Sequence, residues 1–313
     1  MFKPVLILLY SALALIADAS SRQPADWGNL IHRQESLYNT IFVYQRGSIV
    51  TLRFGRRWAV PIQSQVNLDD LREHRLEYTE LSFCGLLYQP QPRRVLTLGL
   101  GGGVIPRELR RYYPEAVIDV VEIDKAIPPI ARQYFAFAED PNLRVFVEDG
   151  RMFIKKQLRL EQSPRYDLII LDAFNGDYIP FHLMTRQFLE EVGAALSPDG
   201  VVVANVFYDN LLFDAEWATF LEVFGRCQVF MGKDSGNAML VSTGPSVRQP
   251  EAKELIDWAR DLQEKRSFAF SLVSIARRLR PALRPDAQAR ALTDDRAPVD
   301  WLRDQQRKKP PAY

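Results

Sequence analysis

The sequence predicts an α/β protein, a Rossmann-like domain on a mostly parallel seven-stranded sheet, preceded by a small N-terminal β-domain. Three observations carry this. Between Arg93 and Gly244, short apolar runs alternate with amphipathic segments of helical period, the pattern of a parallel sheet covered on both faces. A glycine cluster, Gly99-Leu100-Gly101-Gly102-Gly103, falls between the first such run and the first helical segment. Acids then stand at the ends of the following runs, at Glu122, Asp149 and Asp172.

The elements follow in order. Tyr38–Tyr44 and Ser48–Phe54 are β-rich runs separated by Arg46-Gly47, a hairpin signal, and Trp58–Ile62 reads as a further strand of a β-domain closing by Val66. Leu71–Leu87 reads as one helix, with Leu71, Leu76, Leu81 and Leu87 apolar among charged neighbours, closed by Pro90-Gln91-Pro92. Strands are predicted at Val95–Leu98, Val117–Glu122, Arg144–Val147, Tyr166–Leu171, Val201–Phe207, Val229–Met231 and Ala238–Ser242. Helices are predicted at Ile105–Tyr113, Ile127–Phe135, Met152–Leu158, Leu183–Leu196 and Glu216–Phe224. The domains are therefore residues 1–19 as a leader, 20–90 as β-domain and linking helix, 91–245 as the Rossmann-like domain, and 246–313 as a helical region and tail.

With 313 residues, 47% of them hydrophobic, the chain can bury a sizeable core. A net charge of +1 supplies no general field to attract nucleic acid. The basic stretches Arg277–Arg290 and Arg303–Lys309 read as a solvated face and a frayed tail. Cys84 and Cys227 read as buried free thiols, with a disulfide open if the compartment is oxidising. No Cys/His cluster has metal-ligand spacing, and His32, His74 and His182 lie far apart, so no metal is expected. The N-terminus differs in kind. Lys3, the apolar run Pro4–Ala17 and the small-x-small ending Ala17-Asp18-Ala19 describe a secretory signal peptide or, failing cleavage, a membrane anchor. The expected location is accordingly periplasmic or membrane-anchored.

Glycines in a strand-to-helix turn let the backbone approach a ligand and adopt positive φ, so Gly99, Gly101 and Gly102 are candidate cofactor-binding positions. Glu122 ends the second strand, ~20 residues beyond the turn, where a carboxylate can accept from both hydroxyls of a ribose. Asp149-Gly150 ends the third strand and Asp172 the fourth. Ligands of open α/β sheets bind at the carboxyl ends of strands, so these residues converge on one crevice suited to an adenosyl-type nucleoside.

As a set, Gly99–Glu108, Val121–Asp124, Glu148–Gly150 and Tyr166–Asp172 resemble the spermidine/spermine synthase (polyamine aminopropyltransferase) family in order and spacing. Tyr78-Thr79-Glu80 falls where that family has its Tyr-His-Glu or Tyr-Gln-Glu segment, and Leu292–Val299 resembles the tail of spermidine-synthase-like bacterial proteins, including some fused to membrane transporters. The resemblance implies the S-adenosylmethionine-dependent methyltransferase fold, decarboxylated S-adenosylmethionine as co-substrate and a small-molecule amine as acceptor. It further implies Glu122 on the ribose, Asp149 on the adenine amino group and Asp172 as the base. Tyr78, Gln65, Asn175 and Asp177 become candidate substrate-binding residues, and a homodimer is the accompanying expectation for assembly.

The chain departs from the family pattern where the amines should bind. Gly102 occupies the position of an aspartate that grips the donor's aminopropyl ammonium, Asn175 that of an acceptor-binding aspartate, and Thr79 that of the His or Gln. Each charge-assisted hydrogen bond is worth about 1.5–3 kcal/mol, so these changes point to an altered acceptor or donor tail. The competing readings are a methyltransferase using S-adenosylmethionine itself, and a non-catalytic exported protein that binds nucleosides or polyamines.

Overall fold

The description rests on a computed structural model and covers residues 27–55, 62–173, 179–210 and 212–295. The leader and all but Ile62 of the strand expected at Trp58–Ile62 lie outside the described residues, as do Asn175 and Asp177. An antiparallel sheet comes first, ordered β1 (Asn29–Glu35), β2 (Thr40–Arg46), β3 (Ile49–Phe54) and β4 (Ile62–Asn67). The sequence shows no alternation in β1 because this edge strand is largely exposed; its ladder to β2 defines it. On the other strands Ile41, Val43, Val50, Leu52 and Val66 are buried and join the core of the larger domain.

The expected helix over Leu71–Leu87 is shorter. Only α1 (Glu77–Leu81) is α-helical, and Ser82–Leu87 continues as a 3-10 turn. Packing overrides the periodicity here: every residue of the 3-10 segment is buried, and a Cβ on Gly85 would lie 2.7 Å from the side chains of Leu168 and Val203. The segment therefore lies flat on the sheet.

The second sheet runs through β5 (Arg94–Leu98), β6 (Val117–Glu122), β7 (Leu143–Val147), β8 (Tyr166–Leu171), β9 (Leu196–Phe207), β10 (Gln228–Met231) and β11 (Asn237–Thr243). Its spatial order is β10-β11-β9-β8-β5-β6-β7. Only β11 is reversed, pairing antiparallel with both its neighbours. This is the methyltransferase topology. Alternation along the strands feeds two cores: Val95, Ile118, Leu168, Ile170 and Val203 face one layer, while Leu96, Leu98, Val121, Ile169 and Val202 face the other. Helices α2 (Val104–Tyr112), α3 (Ile127–Tyr134), α7 (Ala252–Lys265) and α8 (Leu272–Ala276) cover the first face. Helices α4 (Gly150–Leu158), α5 (Arg186–Ala195) and α6 (Phe213–Phe224) cover the second. The strand order reverses between the parallel neighbours β5 and β8, and their carboxyl ends open the crevice at that switch point.

Two polar clamps hold the walls of the crevice. Arg151 on α4 forms a fork to Glu191 of α5 and to Asp294, which ties the C-terminal segment beside the crevice. On the opposite side the Glu77 carboxylate accepts from the backbone N–H groups of Lys233, Asp234 and Ser235 and from the Ser235 hydroxyl, and pairs with Arg278. It joins α1 to the β10–β11 turn. Burial alone would raise its pKa, but these hydrogen bonds outweigh that and hold it below the ordinary glutamate range. A depressed carboxyl pKa stabilises the fold above the unfolded-state value and ceases to do so as pH falls through the folded one. Glu77→Ala is expected to cost about 2–4 kcal/mol at pH 7. In urea unfolding curves the difference should shrink as pH is lowered below about 4.5, the ordinary value.

Candidate active site

A cavity of about 340 Å³ occupies the switch point. The strand ends of β5, β6, β8 and β9 form its floor, and Phe54, Ile62 and Gln63 of the N-terminal sheet close it from the other side. The glycine turn lies along one edge. Gly99 adopts φ +101°, and a Cβ there would stand 2.3 Å from the Asp172 carbonyl oxygen, so only glycine fits. Gly101 also has positive φ, +52°. Gly102 does not. Its neighbours exclude a side chain instead: a Cβ would meet Ser64 Oγ at 2.5 Å and the Phe135 ring at 2.7 Å.

Glu122 accepts from Leu100 N–H at 3.0 Å and Asp124 N–H at 2.9 Å, which fixes the carboxylate under the turn. Its burial raises its pKa, and those hydrogen bonds oppose the shift. Asp149 caps α4 by accepting from Met152 N–H at 2.9 Å, and accepts at 2.9 Å from His182 Nε2. The histidine bond is the main reason its pKa is lowered. Gly150 opens α4 against Leu98, 3.0 Å from where its Cβ would be. All three acids border the one cavity, as do Gly99, Gly101 and Gly150. Gly102 does not line it.

Asp172 follows β8 and lines the floor. Burial of its carboxyl is the main cause that pushes its pKa up to about 7; Glu122 adds to the shift and a hydrogen bond from Asn205 Nδ2, 2.8 Å long, opposes it. Tyr78 stands across from it and donates its hydroxyl proton to the Gln63 carbonyl at 2.8 Å. Its lone pairs are thereby left to accept an N–H. Burial and the charge of Asp172 push the tyrosine pKa well above its usual value. An amine entering here meets a hydroxyl acceptor and a carboxylate that titrates near neutrality, which is what deprotonating an ammonium-derived nucleophile requires.

One sequence expectation is displaced. Gln65 does not line the cavity; it is tied to Thr51 and Arg75, while Gln63, at an irregularity in the β3–β4 ladder, borders the cavity. Sequence reasoning missed His182, Gln63, Asn205 and Asn237. A signal for Asn205 exists, because a lone amide in Val201–Phe207 is a polar group that a buried strand must satisfy. His182 offered none, since its partner Asp149 is distant in sequence. The two cysteines are free, and burial pushes the Cys227 thiol up to about 12.

Residues 77–231 match the model of the spermine/spermidine synthase domain. A polyamine aminopropyltransferase of Vibrio vulnificus is 36% identical over 304 residues, covering 96% of this chain and 99% of its own. The chain belongs to the spermine/spermidine synthase family. A second family member, the polyamine aminopropyltransferase of Chromobacterium violaceum, is 31% identical over 67% of this chain and 79% of its own. Among solved structures, a probable spermidine synthase from Corynebacterium glutamicum shares the fold with a TM-score of 0.64 at 20% identity, covering 87% of this chain and 99% of that one.

The approach of Gly99 to Asp172 gives a direct test of the geometry. Gly99→Ala is expected to destabilise the protein by at least about 2 kcal/mol. Urea unfolding measures the effect; an unchanged midpoint would contradict the close packing of turn and floor.

Proposed function

We propose that this protein is a polyamine aminopropyltransferase, moving the aminopropyl group of decarboxylated S-adenosylmethionine to a small amine. The observation that carries the reading is the Asp172 carboxylate facing Tyr78 at one end of a nucleoside-sized cavity. Glu122 takes the ribose hydroxyls and Asp149, with His182, borders the adenine. The acceptor nitrogen, with a hydrogen directed at Tyr78 or Asp172, attacks the carbon next to the sulfonium. The new C–N bond forms as the C–S bond breaks, its electron pair returning to sulfur as the neutral thioether of methylthioadenosine. The proton shed by nitrogen passes to Asp172. The sulfonium is already a good leaving group, so alignment of nitrogen and carbon supplies most of the rest.

The amine half of the site sets the substrate choice. The aspartate expected in the glycine turn is absent, and Ser64 and Phe135 fill the room it would need. The donor's aminopropyl ammonium is therefore held with one carboxylate fewer than in the family pattern, and the acceptor meets Asn175 in place of an aspartate. The leader belongs to the same proposal: an uncleaved anchor that keeps the catalytic domain on the cytosolic side leaves the adenosyl donor within reach. Protease protection of intact spheroplasts tests this, and a mature chain starting at Ser20 outside the membrane would overturn it.

Purified protein given the decarboxylated donor and a panel of diamines is expected to release methylthioadenosine, and Asp172→Asn to lose at least about 100-fold in kcat. Because the base must be ionised, kcat/KM should fall about tenfold per pH unit below about 7. No release with any amine would end the reading. Tighter calorimetric binding of S-adenosylmethionine than of the decarboxylated donor would favour methyl transfer instead.

A further inference from the structure

We infer that Asn237 is a positioning residue for the Asp172 carboxylate, acting through Asn205; the catalytic meaning of this rests on Asp172 serving as the base proposed above. Asn237 Nδ2 donates to Asn205 Oδ1 at 2.9 Å, and Asn205 Nδ2 donates to Asp172 Oδ1 at 2.8 Å. The amides project from neighbouring antiparallel strands, β9 and β11, and are only 2% and 8% exposed.

A primary amide has one donating and one accepting end, and a carboxylate can only accept. With its NH2 toward Asp172, Asn205 favours the ionised form. With its carbonyl toward Asp172 it would favour the protonated acid. With Asn237 Nδ2 directed at Asn205, as it is here, Asn237 biases this choice, because inverting Asn205 alone would aim its NH2 at the NH2 of Asn237 and leave donors without acceptors in a buried place. Asp172 Oδ1 is thereby committed as an acceptor, and Oδ2 is the oxygen left to take the proton from the amine. The titratable groups that face Asp172 among the described residues are Glu122 from β6 and Tyr78 from α1, and neither touches the amide pair.

Asn237→Leu keeps the bulk of the side chain and removes its amide. The midpoint of Asp172 is read by ¹³C-carboxyl NMR titration of the ligand-free protein, with Asp172→Asn assigning the signal. It is expected to rise by about half to one pH unit, a fraction of one charge-assisted hydrogen bond. The acid limb of kcat/KM should move by the same amount. In an Asn205→Ala background the same substitution should add no further shift. An unchanged midpoint, or an equal shift with and without Asn205, overturns the inference. Asn237→Ala, judged by the same criteria, serves if leucine disturbs the packing. The titration needs no turnover, so a wild-type protein without aminopropyl transfer would refute the proposed function and leave the result on Asn237 standing.

Discussion

The site depends on one close approach, between the backbone of the glycine turn and the backbone of the β8 end. Asp172 N–H donates to the Leu98 carbonyl at 2.9 Å, continuing the β5–β8 ladder one step past the strand, and Gly99 packs against the Asp172 carbonyl where no Cβ could stand. Parallel pairing at the switch point thus sets the distance between the glycine turn and the Asp172 carboxyl. The cavity and the burial of Asp172 follow from that distance.

Around it, three neighbouring acids are given three different characters by their surroundings. Asp149 is held as an anion by His182 and a helix N-terminus. Glu122 is fixed by backbone N–H groups of the turn while burial raises its pKa. Asp172 has one amide donor, and with burial and a nearby like charge it titrates near pH 7. Environment, not residue type, sets the three carboxyls apart.

The parts legible in the sequence are those fixed by local pattern. The strand run, the glycine turn, and the strand-end acids Glu122, Asp149 and Asp172 all border one crevice, because a parallel sheet delivers its carboxyl ends to one side. What was not legible depends on contacts between distant segments. His182 reaches Asp149 across 33 positions, and Asn237 reaches Asn205 across 32. The choice between Gln63 and Gln65 turns on a β-bulge: the β3–β4 register shifts between Leu52 and Arg53, so Gln63 is the extra residue and borders the cavity beside Ile62, whereas Gln65 pairs regularly with Thr51. The helix expected over Leu71–Leu87 failed for the same reason: its apolar residues have helical spacing, but the sheet demands a flatter path.

The crowding at Gly102 has a consequence for redesign. Introducing the aspartate of the family pattern there would set its Cβ against Ser64 Oγ and the fully buried Phe135 ring. Restoring that acid therefore calls for compensating changes in β4 and at the end of α3. The missing carboxylate is a property of a packed neighbourhood, not of one residue.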